Sequence, residues 1–130
     1  MDRTIIEVPV ISDTLRRIGA PVAALVRANG MLYTCGMPPI DLQTGDIVSA
    51  DIETQTRLSL EALAFALETG GGRLADTVRA TVYLTDPALT ARMNSVYRTY
   101  FPNGFPARSC VGIGPWPGFD IEIECTTPIR

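Results

Sequence analysis

Two segments near the C-terminal end carry residues that could do chemistry together. Phe105-Pro106-Ala107-Arg108-Ser109-Cys110-Val111 sets a single arginine two residues after a proline, at the head of an apolar run. Ile121-Glu122-Ile123-Glu124 alternates isoleucine with glutamate, which on a strand puts both carboxylates on one face. A guanidinium presents a planar fork that matches a carboxylate with two parallel hydrogen bonds. A fixed carboxylate can take a proton from water. Such a pair would hold a small anionic substrate and place a water against it. Plainer readings exist for both: an arginine that pairs with a carboxylate across a sheet, and a half-solvated strand with its polar face outward. The two glutamates share a face, so periodicity does not choose between them. Placed near Arg108, Glu122 would be favoured in its ionised form and could serve as a base.

The composition removes several other chemistries. The chain contains no histidine, which excludes Ser-His-Asp, Cys-His and paired-histidine arrangements. Its three cysteines, Cys35, Cys110 and Cys125, form no CxxC motif, so no metal site is expected. An odd cysteine count without a secretory signal points to reduced thiols and a cytoplasmic protein. Cys110 lacks a histidine to deprotonate it and reads as an inert thiol. Gly70-Gly71-Gly72 follows a helix and lacks a GK[ST] ending, so it reads as a helix stop and not as a phosphate cradle. Net charge is -3, lysine is absent, and no basic block marks a nucleic-acid surface. No apolar run approaches the roughly 18 residues needed to cross a bilayer. No cofactor is called for.

At 130 residues, 46% of them hydrophobic, the chain suits one domain spanning 1–130 with a real core. The patterns predict a strand over 4–10, an irregular stretch over 12–21, and strands over 23–28 and 31–35. The last two flank Asn29-Gly30, a type I′ hairpin signal. A helix follows, capped by Asp51, with Ile52, Thr56, Leu60, Leu63 and Leu67 at helical spacing. Then come a strand over 77–84, a second helix from Asp86-Pro87, and strands over 108–113 and 119–126. Asn94 falls on the polar side of the second helix. This order predicts an α+β fold, a mixed sheet with two helices packed on one face. The other face then needs covering, which oligomerisation would supply.

The Phe105–Val111 segment is close to the signature of the RidA (YjgF/YER057c/UK114) family of enamine/imine deaminases. The resemblance extends along most of the chain, through Asn29-Gly30, Tyr33-Thr34-Cys35-Gly36, Asn94-Ser95-Val96-Tyr97 and Ile121–Glu124. It implies a chorismate-mutase-like fold and a homotrimer with ligand clefts between neighbouring subunits. It also implies hydrolysis of reactive 2-imino or enamine acids to 2-oxo acids and ammonia, with no metal or cofactor. By this resemblance Arg108 binds the substrate carboxylate and Glu122 positions the hydrolytic water. Cys35, Gly36, Asn94, Cys110 and Val22 complete the substrate site, with backbone near Gly36 and Cys110 receiving the nitrogen. The chain departs from the family pattern at two places. Val22 stands where deaminating members carry a tyrosine, and Cys35-Gly36-Met37 replaces Ser-Gly-Gln. Both departures make the expected cleft less polar. They favour one rival reading, a retuned or non-catalytic binder of small carboxylates; a second, an endoribonuclease or translation inhibitor, is a label some relatives carry, and the acidic charge and missing histidine argue against it.

Overall fold

A computed structural model describes residues 2–130. The chain runs β1 (Arg3–Ile6), α1 (Ile11–Arg17), β2 (Leu25–Ala28), β3 (Met31–Thr34), α2 (Ile52–Thr69), β4 (Arg79–Leu84), α3 (Thr90–Tyr97), β5 (Ala107–Gly112) and β6 (Ile121–Pro128). Short 3-10 turns at Pro87–Leu89 and Arg98–Tyr100 extend α3 at both ends. All six strands form one sheet in the order β1-β2-β3-β6-β4-β5. Only β4 and β5 run parallel, and α3 makes the crossover between them.

Local signals explain most of these elements. Asn29 and Gly30 both take positive φ, 53° and 76°, as a type I′ turn requires, and they close the β2–β3 hairpin. The Asp51 carboxylate accepts the Thr54 amide at 2.8 Å and caps α2. The left-handed residue after α2 is Gly71, inside the glycine run expected to stop the helix. Ile52, Thr56, Leu60, Leu63 and Leu67 are all buried, the helical stripe the sequence spacing marked.

The helix count differs from the sequence expectation. The stretch read as irregular contains α1, so three helices accompany the sheet. α1 is under two turns long and lacks a side-chain cap at Val10, which sits at φ 69°. Its inward face carries Ser12 and Thr14 beside Ile11 and Leu15, so it is only half apolar. Their hydroxyls are used: Ser12 accepts the Val8 amide at 2.9 Å, and Thr14 donates to the Gly45 carbonyl at 2.6 Å. The first strand is also shorter than expected, because Val10 turns the chain into α1.

The sheet has two unlike faces. Along β6, Ile121, Ile123, Cys125 and Thr127 are buried, and the residues between them are half-buried. Their β4 partners Leu84, Val82 and Ala80 are buried too, and α2 packs over this face with α3 beside it. The opposite face has no helix over the central strands. Ile5, Tyr33 and Val111, on that face by register, are exposed. Among the described residues, no helix is long and apolar enough to cross a membrane.

One buried polar clamp fixes the start of β6. The Gln55 amide nitrogen donates to the Ala50 carbonyl at 2.6 Å and to Asp120 Oδ2 at 3.0 Å. Its oxygen accepts the Asp120 amide at 2.8 Å, and Thr85 holds Asp120 Oδ1 at 2.8 Å. A buried amide is costly unless satisfied, so Gln55 and Asp120 depend on each other. Gln55→Leu should therefore lower stability by about 1–3 kcal/mol, read from the denaturant midpoint. A change near zero would show that the clamp does not hold the two elements together.

Candidate functional site

Arg108 opens the functional region. It pairs with Ala80 across β4–β5, so it stands on the helix-covered face, and α3 reaches it. Its Nη1 donates to Asn94 Oδ1 at 2.8 Å. Its guanidinium lies 4.6 Å from the centre of the Tyr97 ring, a cation–π contact. Both partners are neutral. Among the described residues, no carboxylate pairs with Arg108. The structural reading of this arginine, an ion pair across the sheet, is thereby ruled out within the chain. With Arg98, Phe105 and Pro106, these residues line a cleft of about 260 Å³. Two guanidiniums and an amide around a small opening suit an anion.

Glu122 stands elsewhere. It pairs with Tyr83 on β4, which puts it on the face opposite Arg108, and β4 lies between their strands. The expectation that Arg108 would favour an ionised Glu122 thus fails inside one chain. Burial, with the charge of Glu124 second, instead pushes the Glu122 carboxyl up to about 7. Glu122 lines a second cleft of about 180 Å³ with Val22, Cys35, Gly36, Leu15, Ile18 and Phe119. Glu124 is turned to another task and accepts the Tyr83 hydroxyl. That bond raises the pKa of the Tyr83 hydroxyl.

Gly36 lets the Glu122 carboxylate come close. A Cβ at position 36 would collide with Oε1 and stand 3.5 Å from the carboxyl carbon. The Cys35 thiol is pushed up to about 12 by burial and then by Glu122, so it stays protonated at neutral pH. Cys110 lies on the Arg108 side of β5 and is exposed. Met37 is fully buried and lines neither cleft; its carbonyl accepts the Ser59 hydroxyl at 2.8 Å. Of the expected site residues, Arg108 and Asn94 line one cleft and Glu122, Gly36, Cys35 and Val22 the other, while Cys110 shares the Arg108 face of β5 without lining its cleft.

The family described as "Endoribonuclease L-PSP" matches residues 14–129. The chain belongs to this family, the RidA (YjgF) family. Its relatives carry varied names. A RutC family protein of Pyrococcus horikoshii is 41% identical over 104 residues, 80% of this chain and 82% of that protein. TdcF of Escherichia coli, named as a candidate reactive intermediate deaminase, is 35% identical over 119 residues, covering 88% and 91%. Its crystal structure with bound serine matches with a TM-score of 0.77 at 33% identity, over 85% of this chain and 89% of that one. YyfA of Yersinia pestis, a Rid-family protein of unknown function, matches with a TM-score of 0.88 at 32% identity, over 98% and 100%.

Among the lining residues not named as site residues from the sequence of this RidA-family chain are Tyr97, Arg98 and Phe119. Tyr97 and Arg98 follow Asn94 at i+3 and i+4, so helical spacing alone could have placed them on its face. Phe119 had no such signal, because the Gly114–Gly118 turn decides where its ring goes. The Tyr97 hydroxyl is buried without a hydrogen-bond partner among the described residues, and burial pushes it up to about 12.

The contact between Gly36 and Glu122 can be measured. Gly36→Ala should destabilise the protein by about 1–3 kcal/mol through overpacking. In a Glu122→Ala background the same change should cost under about 0.5 kcal/mol, since the colliding oxygen is gone. Equal costs in both backgrounds would show that the carboxylate does not sit against Gly36.

Proposed function

We propose that this protein hydrolyses reactive 2-imino or enamine acids to 2-oxo acids and ammonia, in clefts completed between neighbouring copies of a homotrimer. The observation that carries the reading is an arginine held by neutral groups, with no carboxylate partner among the described residues. Such a guanidinium is ready for a substrate carboxylate. The relative TdcF, whose name includes reactive intermediate deaminase and whose crystal structure holds serine, supports a ligand of this class.

The division of residues supports assembly. Phe105 at the Arg108 cleft is 62% exposed, and Ile18 and Val22 at the Glu122 cleft are 54% and 52% exposed. Each half-site thus has an apolar rim left in water. Joining the Arg108 cleft of one copy to the Glu122 cleft of the next would bury both rims and bring cation and carboxylate together. The exposed apolar side chains on the helix-free face of the sheet would gain cover as well. Three free thiols suit a reducing compartment such as the cytoplasm.

In the joined cleft, Arg108 grips the carboxylate and orients the imine carbon. That carbon is already electrophilic, so the chain has to supply a positioned water and a proton path. Ionised Glu122 accepts a proton as water oxygen adds to the carbon. It returns that proton to nitrogen to give a carbinolamine, then carries the carbinol O–H proton to the amine as the C=O forms and the C–N bond breaks, and ammonia leaves with the 2-oxo acid. The carboxyl near 7 is poised for both transfers around neutral pH.

Purified protein supplied with freshly generated 2-iminopropanoate and 2-iminobutanoate should speed ammonia release over buffer. Arg108→Ala should lower kcat/KM by orders of magnitude, and Arg108→Lys should recover little of it, because a point charge does not replace the fork. Because the base must be ionised, kcat/KM should rise with pH through an apparent pKa at or below about 7; a facing guanidinium lowers the value set by burial alone. Wild-type rates in Arg108→Ala would remove the arginine from the site. RNA cleavage without imine hydrolysis would favour the ribonuclease reading.

A further inference from the structure

We propose that Tyr97 is a positioning residue for Arg108: its ring holds the guanidinium so that Nε and Nη2 face the substrate carboxylate. This inference rests on the imine-hydrolase reading and says how the anchor of that site is held.

A guanidinium has five N–H donors in a fixed fork, and a carboxylate needs two that lie side by side. At Arg108 the donors are divided. Nη1 donates to Asn94 Oδ1 at 2.8 Å and faces the Met93 sulfur at 4.0 Å. Nε and Nη2 make no hydrogen bond among the described residues. The Nε–Nη2 edge is therefore the pair of donors left whole. The guanidinium carbon sits over the Tyr97 ring, 4.6 Å from its centre. A carboxylate in place of that ring would cancel the charge and take up donors that a ligand needs. An aromatic ring attracts the cation and does neither.

Tyr97 is well fixed for this task. It is only 4% exposed, and its ring packs 5.0 Å from that of Phe101 at a 40° tilt. Met93, Asn94 and Tyr97 leave α3 at i, i+1 and i+4, so one helix face supplies all three contacts to Arg108. The Tyr97 hydroxyl is buried and makes no hydrogen bond among the described residues. A buried hydroxyl without a partner lowers stability, so the ring and not the oxygen is the working part. These contacts all lie within one chain. None of them depends on the shape that a neighbouring copy gives the cleft.

Calorimetry of 2-oxobutanoate binding, run beside imine hydrolysis on the whole protein, tests this role. Tyr97→Leu should weaken binding by about 5- to 30-fold and raise KM more than it lowers kcat, because it acts through the grip of Arg108. Tyr97→Phe should keep the affinity that Tyr97→Leu loses, with a denaturant midpoint no lower than that of wild type. Phenylalanine with one, two or three ring fluorines at position 97 drains charge from the ring face at nearly constant size. Affinity should then fall stepwise with each fluorine. A flat fluorine series, or equal loss in Tyr97→Phe and Tyr97→Leu, would overturn the role of the ring. The edge has its own readout, the Arg108 Nε–H proton resonance, identified by its absence in Arg108→Lys. It should move downfield when 2-oxobutanoate binds, and a resonance that stays in place during binding would overturn the assignment of the edge. No imine hydrolysis, with the stepwise fluorine effect present in 2-oxobutanoate binding, would overturn the deaminase reading and keep the role of Tyr97. A wild type that binds no 2-oxobutanoate would overturn both.

Discussion

The register of three neighbouring strands decides what this molecule can do. β6 pairs with β4 so that Glu122 meets Tyr83 and Cys125 meets Ala80, and β4 pairs with β5 so that Ala80 meets Arg108. Side chains alternate across a sheet, so these pairings send Arg108 to the helix-covered face and Glu122 to the other. A slip of one residue in the β4–β6 pairing would turn Glu122 and Glu124 toward α2, and one in the β4–β5 pairing would carry Arg108 away from α3. The buried row of Ile121, Ile123 and Cys125 on β6 guards against the first slip. The same row that builds the core therefore also separates the two charged groups.

The electrostatics follow from this separation. Arg108 meets an amide oxygen and an aromatic ring, which orient it without neutralising it. Glu122 meets glycine, a thiol that stays protonated and apolar walls, and this burial, with the charge of Glu124 second, raises its pKa. Each group is left with an unmet electrostatic need that the other could answer. In a single chain they do not meet. That pattern is what an intersubunit site requires, and it supports the trimeric reading more directly than exposed surface does.

Much of the fold was legible because local rules and core demands agree. Asn29-Gly30, the Asp51 cap, the leucine stripe of α2 and the Ile121–Glu124 alternation each predicted the element that forms. α1 was missed because its buried positions are serine and threonine as well as isoleucine and leucine, and the Thr14 hydroxyl finds its partner, the Gly45 carbonyl, far along the chain. At the site, residue types were legible and their grouping was not. Periodicity shows that Glu122 and Glu124 share a face, but which face, relative to Arg108, depends on pairing between strands distant in sequence. Gln55 and Phe119 act through tertiary contacts that no short window displays. Met37 looked like a cleft residue by its place after Gly36, yet the isolated pairing with Ile123 turns it into the core.

The central claim is that Arg108 and Glu122 work together only across a subunit boundary. Co-refolding equal amounts of Arg108→Ala and Glu122→Gln chains tests it directly. Neither variant alone should hydrolyse 2-imino acids. In random cyclic trimers, about one cleft in four pairs an intact Arg108 with an intact Glu122 from the neighbour, so about a quarter of wild-type activity should return. A mixture that stays as inactive as its two components, while light scattering shows that mixed oligomers have formed, would contradict the account.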